Sequence, residues 1–256
     1  MTPVHDLQDV TVFERGWLSS NNILVHGQQE QAATLIDSSH CLHAEQTVAL
    51  VRHALRRGAS LGTLVNTHLH SDHSGGNASL QRAFGARLVI PLGEAEAVAR
   101  WDEDALTYRA SGQRIERFRH DDVLHPGESL EAGTRIWSAL AAPGHDPHSL
   151  LLFDARDGVL ISADALWENG FGVVFPELEG ESAFDDVAAV LDLIERLAPR
   201  LVIPGHGAPF SDVAGALQRA RCARSSANAF RTSARRNRCR ATRSARPACR
   251  RRSTRS

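Results

Sequence analysis

The residues best suited to chemistry stand in one run, Thr67-His68-Leu69-His70-Ser71-Asp72-His73. It offers four potential metal ligands: His68, His70, Asp72 and His73. The run follows Leu61 to Thr67, which reads as a buried strand, and precedes Ser74-Gly75-Gly76, which opens a helix. A strand end holds its first residues rigidly, and a tight loop turns the next ones back. His68 and His70, two apart on an extended segment, project to the same side. Asp72 and His73 come from the turn and can face a second point a few ångströms away. Imidazoles combined with carboxylates suit Zn, Fe or Mn.

Three further candidates occupy equivalent places. His145 lies in Ala142-Pro143-Gly144-His145, Asp164 in Ile161-Ser162-Ala163-Asp164, and His206 in Ile203-Pro204-Gly205-His206-Gly207. Each is a ligand type just past a short apolar strand, where loops on a rigid scaffold concentrate binding residues. The glycine before each histidine permits close backbone approach. Outside this set, His5, His26, His40, His43, His53, His120 and His125 read as surface or core residues. His148 is a weaker candidate for lining the site, and Cys41 reads as a small buried hydrophobe.

The elements that must position these residues are legible in outline. VTVFE, NILVHG and AATLIDS in the first 40 residues read as short strands. His43 to Arg57 reads as a helix ended by Gly58, and Asn77 to Phe84 as another. Arg87 to Ile90 is a short strand. Gly93 to His125 is polar and mixed in charge, an excursion from the core layers. Ile136 to Ala142 is a strand. Leu150 to Phe153 and Val159 to Ser162 form a hairpin. Ala183 to Leu197 is the clearest amphipathic helix. Leu201 to Ile203 is a strand, and Ser211 or Asp212 caps a final short helix. Strands that dominate early and alternate with helices later predict an α+β protein of two sheets covered by helices.

Composition bounds the class. With 256 residues and 42% hydrophobic content the chain can bury a substantial core. No apolar run approaches the roughly 20 residues of a membrane helix. The N-terminus has neither a basic nor an apolar leader region, so no secretory signal is expected. Three of the four cysteines lie at or beyond position 222, which is no disulfide framework and suits a reducing, cytoplasmic compartment. No membrane partner is expected, and no motif sets an oligomeric state.

The net charge of −1 hides an asymmetry, because all 30 acidic residues lie at or before Asp212. From Val213 onward there are 14 arginines and no acid, and the chain has no lysine. Residues 1–221 therefore read as the folded domain. Residues 222–256 read as a low-complexity basic tail, too poor in apolar residues to offset its ordering entropy. Three readings of that tail stand open: an arginine-rich arm for nucleic acid, an inert solvated tail, and an out-of-frame translation of GC-rich coding DNA.

THLHSDHSGG, PGHDPHS, SADA and PGHG, with Asp37 in TLIDSS, occur in an order that resembles the metallo-β-lactamase-fold hydrolases. The resemblance spans about residues 10–210. It implies a four-layer αββα sandwich with two divalent metal ions at one edge, Zn first, with Fe or Mn as alternatives. It assigns His68, His70 and His145 to one metal and Asp72, His73 and His206 to the other. Asp164 would bridge them, with Asp72 and Asp164 the catalytic carboxylates and Asp37 a brace for the ligand loop. Two cations about 3.5–4 Å apart can share a hydroxide that attacks a carbonyl.

Within that family, His70 departs from the flavodiiron pattern, which has Glu there. The absence of a large added domain after the motifs disfavours the nucleic-acid-processing branch, and the absence of a leader disfavours a secreted β-lactamase. The chain is then most similar to the glyoxalase II-like group, which implies a small-molecule ester or thioester substrate. Lactonase or β-lactamase-type hydrolysis and a mononuclear iron persulfide dioxygenase are neighbouring alternatives. Nucleic-acid binding through the tail is the alternative of a different class, and nucleic acid is not the expected partner. Trp167, Phe171 and Phe175 are candidate walls of the substrate cleft, as are Trp101 and Tyr108. No segment matches the basic C-terminal residues with which glyoxalase II-like enzymes hold glutathione carboxylates.

Overall fold

The structure is a computed structural model that describes residues 7–226 except Trp17, 29–30 and 110–111. Strands β1 (Val10–Phe13), β2 (Asn22–Val25), β3 (Ala33–Ile36), β4 (Leu61–Val65), β5 (Arg87–Pro91) and β6 (Asp122–Leu124) form one sheet in sequence order. Its first two pairings are antiparallel, and the next three are parallel. Strands β7 (Ser129–Ala132), β8 (Arg135–Ala141), β9 (Leu150–Asp154), β10 (Val159–Ala163) and β11 (Leu201–Pro204) form the second sheet. It is antiparallel except for the β10–β11 pair.

Period-2 alternation explains the layers. In β9, Leu150 and Leu152 face the first sheet while Leu151 faces outward to helices. Val159 and Ile161 in β10, and Leu201 and Ile203 in β11, repeat the inward pattern, with Leu160 and Val202 outward. From the other sheet, Ile23, Val25, Ile36 and Val65 meet them around the fully buried Trp137. Helices α1 (Ala44–Ala54), α3 (Asn77–Phe84) and α4 (Ala95–Arg100) cover the outer face of the first sheet. The one-turn helix α2 (Ser71–Ser74) carries part of the ligand run, and α5 (Phe175–Glu179) follows β10. Helix α6 (Phe184–Leu197) covers the second sheet with Val187, Val190, Leu191 and Ile194 buried at helical spacing. Glu177 Oε1 accepts the amides of Ala183 and Phe184, satisfying donors at the start of α6. The expected αββα sandwich is therefore the observed fold.

Several expectations need correction. The segment from Gly93 to His125 is no excursion. Tyr108 and Phe118 are buried and Trp101 packs beside them against the first sheet, and β6 completes that sheet's edge. The polar strand β7 was not expected either. The last helix, α7 over residues 213–226, is long rather than short and runs past the boundary expected at 222. Arg221 pairs with Asp192 and Glu195 of α6, and Arg224, which composition places in the tail, donates to the Phe184 carbonyl, so one arginine on each side of the expected boundary docks the helix. The expectation of disorder beyond 226, with two of the tail cysteines, lies outside the described residues. No described helix is long and apolar enough to cross a membrane.

Candidate metal centre

The seven predicted residues reach one edge of the sandwich from both sheets. His68 and His70 leave the end of β4, Asp72 and His73 sit on α2, and His145 precedes β9. Asp164 directly follows β10 and His206 follows β11. Bonds between the sheets hold these loops together. The Leu150 amide donates to the Thr67 carbonyl at 2.9 Å. Asn21 Nδ2, from the first sheet, donates to the carbonyls of Pro204 and Gly207 on either side of His206.

Two donor groups result. His68, His70 and His145 offer ligand atoms within 4.8 Å of one another, and so do Asp72, His73, Asp164 and His206. In the first group, His145 Nε2 lies 2.7 Å from His70 Nδ1 and 3.2 Å from His68 Nε2. His145 Nδ1 donates to the Val173 carbonyl, which leaves Nε2 as a lone pair. In the second group, His206 Nε2 is 3.0 Å from Asp72 Oδ2, and His73 Nε2 is 3.3 Å from Asp164 Oδ1. Asp164 faces both groups, because its Oδ2 lies 3.4 Å from His145 Nε2.

Asp37 braces this set. Its carboxylate accepts from the Thr67 amide at 2.9 Å, the Thr67 hydroxyl at 2.8 Å and His73 Nδ1 at 2.8 Å. That fixes the His73 tautomer and aims Nε2 inward. Asp37 has φ +58° and Ala163, just before Asp164, has φ +45°. Non-glycine residues in that region store roughly 1–3 kcal/mol each, and such strain gathers at functional sites.

The electrostatics divide the histidines. Burial, with neighbouring imidazoles adding to it, pushes His68 well down. Burial brings His70 and His145 to about 4, so both are neutral at pH 7, the ligating form. His73 goes the other way: burial opposes its charge, but Asp164, Asp37 and Asp72 raise it well above the usual value. Burial also opposes ionisation of Asp164, yet His73, His145 and His206 hold its carboxyl far below the usual range.

A cation fits this set. His73 Nε2 is buried and makes no hydrogen bond, although carboxylate oxygens lie near it. Buried polar atoms are normally satisfied. Three imidazole nitrogens converge in the first group, and a buried carboxylate spans both groups. That is a borderline-soft N,O donor set.

A cavity of about 590 Å³ opens on the donors. Trp167 and Phe175 line it as expected, together with Leu18, His40, Gln113 and Val173. Phe171 instead packs against the core beneath α6, and neither Trp101 nor Tyr108 lines the cavity. Tyr108 donates to the Leu69 carbonyl at 2.8 Å and so supports the ligand run from behind. His40 was read as ordinary and lines the cavity. His148 lies against Gly93 rather than along the cavity wall. Cys41 is half-buried, with Sγ donating to the Arg114 carbonyl. A buried Asp146, missed in sequence, stands behind His70 with Oδ2 3.7 Å from Nε2. Its position next to His145 was the available signal.

The layer order and the paired donor groups define an αββα sandwich with a candidate metal centre at one edge. The chain belongs to the metallo-beta-lactamase superfamily, whose family model matches residues 15–206. It is 28% identical to a hydroxyacylglutathione hydrolase of Bartonella quintana (strain Toulouse) over 153 residues, 60% of this chain and 51% of that protein. It is 29% identical to the acyl-coenzyme A thioesterase MBLAC2 of Bos taurus over 157 residues, 56% of this chain and 54% of that protein. The chain thus spans about half the length of the curated relatives it matches. Among solved structures, TTHA1623 in a di-iron-bound form superposes with a TM-score of 0.63 at 25% identity, covering 80% of this chain and 96% of that one.

One glycine tests the geometry. A Cβ on Gly205 would stand 2.2 Å from Asp164 Oδ1 and 3.0 Å from the Ala163 carbonyl carbon. Gly205→Ala is therefore expected to displace Asp164 and weaken metal retention by about 10–100-fold, the range for disturbed ligand supports. Chelator competition measures it; retention equal to the parent would show that the loop yields elsewhere.

Proposed function

We propose that the chain is a metal-dependent hydrolase of small esters or thioesters with a dinuclear centre. One group would be His68, His70 and His145, the other Asp72, His73 and His206, with Asp164 shared. The observation that carries this reading is Asp164, which presents one oxygen to each group. Divalent cations in such a site supply Lewis acidity and lower the pKa of a coordinated water from 15.7 to about 7.

The chain's own residues do the rest. Asp37 and the Val173 carbonyl fix the tautomers of His73 and His145, so their free nitrogens face the two different oxygens of Asp164. Phe175 packs its ring on His70, and Trp167 packs on His206, which limits water around the donors. Asp72, half-buried at the cavity wall and 3.0 Å from His206, is kept ionised against the cost of burial by His73 and His206, the form in which it would hold a cation. The hydrolase and thioesterase named among the relatives, and the di-iron-bound neighbour, support the reading.

Elemental analysis of protein purified without chelator or affinity-column metal is the test, followed by a thioester and lactone screen. About two ions of Zn, Fe or Mn per chain with turnover is the expected result. One iron per chain with O₂ uptake would replace the proposal by an oxygenase. No ion retained after reconstitution would overturn it.

A further inference from the structure

We infer that the cavity selects its substrate by an apolar acyl group, and that an anionic leaving group contributes little. This rests on the hydrolase reading and adds the substrate class to it. The walls beside the donors are aromatic on both sides. The Phe175 ring lies 4.5 Å from the His70 ring and 5.5 Å from that of His145. The Trp167 ring lies 5.2 Å from His206, and its Nε1 donates to Asp164 Oδ1 at 3.3 Å, which fixes the indole. Leu18 and Val173 extend the apolar surface.

The charges point the same way. Among the described residues, and apart from the imidazoles, the only charged side chains lining the cavity are Asp72 and Asp164. Among the described residues no arginine lines it, and the chain has no lysine. Carboxylates and phosphates are recognised by arginine forks or lysine, which give strong charge-assisted bonds. Among the described residues lining the cavity, a leaving group carrying such anions finds no such partner, whereas a hydrocarbon chain finds two aromatic faces. The cavity volume falls in the range of sites that bury most of a small ligand.

The test is a series of acyl N-acetylcysteamine thioesters, acetyl to octanoyl, against the metal-loaded protein. The same acyl groups are also tested as glutathione thioesters. In parallel, non-hydrolysable alkyl thioethers of N-acetylcysteamine are titrated by calorimetry, which needs no turnover. Both kcat/KM and affinity are expected to rise about fourfold per methylene over the first few carbons, the value of burying a CH₂. Glutathione thioesters should stay within about tenfold of their neutral counterparts, less than one charge-assisted contact contributes. Phe175→Ala and Trp167→Ala should flatten the dependence on chain length. A series that is flat in both readouts, or a glutathione preference well beyond tenfold, would overturn the inference. If no thioester is turned over, the thioesterase form of the hydrolase reading falls, and the thioether titration alone decides the acyl selectivity.

Discussion

Asp164→Asn is expected to lower metal content from about two ions per chain to one or none, and to cut hydrolysis by about a thousandfold or more. Asp164 is the residue whose oxygens reach both donor groups, 3.3 Å from His73 Nε2 on one side and 3.4 Å from His145 Nε2 on the other. The amide keeps the shape of the side chain but removes the negative charge and replaces one acceptor with a donor. That NH₂ must then face a lone pair or a cation whichever way it flips. The loss of Lewis acidity forfeits several kcal/mol of transition-state stabilisation, with each 1.4 kcal/mol worth about tenfold in rate. Elemental analysis and turnover of the best thioester substrate check both halves. Full metal content with parental turnover would remove Asp164 from the centre and with it the shared-carboxylate reading.

Asp72→Asn makes a contrasting case within the same group. Asp72 touches His206 at 3.0 Å but is half-buried, and its carboxylate stands on one side of the centre only. The difference between one-sided and two-sided contact is not carried by local spacing, which offers Asp72 in a turn and Asp164 past a strand. It was expected only from the family resemblance, in which Asp164 bridges and Asp72 serves one metal.

Local chemistry explains what was legible. The ligand run was readable because a buried strand, a turn and a helix start lie within a dozen residues of one another, so spacing alone carries the geometry. Strands β9, β10 and β11 were readable because both faces are buried, giving near-continuous Leu, Ile and Val. Strands β6 and β7 were missed because they are short sheet-edge strands, with polar residues at the exposed positions of Asp122, Ser129 and Glu131. The cavity wall was only half legible. Trp167 and Phe175 follow a ligand in sequence, but Leu18, His40 and Gln113 arrive from distant loops, and nothing local marks them. The docking of α7 through Arg221 and Arg224 escaped for a related reason. Composition assigns Arg224 to the tail, whereas the Phe184 carbonyl accepts from it, and an acidic face on α6 holds Arg221 of the same helix.

Long-range pairing also dictates the largest expected effect on stability. Arg135→Met is expected to destabilise the fold by about 3–5 kcal/mol, the usual result of removing one member of a buried ion cluster. Arg135 opens β8 and is nearly inaccessible, with a side-chain exposure of 4%. Its Nη1 lies 2.6 Å from Asp154 at the end of β9 and 2.9 Å from Asp157 in the following turn. Its Nε and Nη2 grip both oxygens of Asp9, just before β1, at 2.9 and 2.8 Å. One guanidinium thus ties the two sheets together, at the end of β9 away from the candidate metal centre. Methionine fills much of the volume but leaves Asp154, 2% exposed, as a buried charge without its cation. The shift in Tm should be about 10–15 °C, at roughly 2–4 °C per kcal/mol for a domain of this size.

The pH dependence follows from the same pairs. Burial opposes ionisation of Asp9, yet Arg135 holds its carboxyl below the usual value. Burial opposes ionisation of Asp157 too, and Arg156 and Arg135 hold its carboxyl below the usual value. Groups depressed in the folded state stabilise it above their ordinary pKa, near 3.8, and lose that contribution as pH falls through the folded value. The gap between parent and Arg135→Met should therefore be widest near neutrality and shrink below about pH 4. Thermal unfolding followed by circular dichroism from pH 3 to pH 7, with metal content measured at 20 °C, separates this clasp from the metal centre. A variant that melts within a degree or two of the parent at pH 7 would show that Asp9, Asp154 and Asp157 find other partners. Metal lost at 20 °C, with the fold still intact, would show that the clasp reaches the donor loops through the strands.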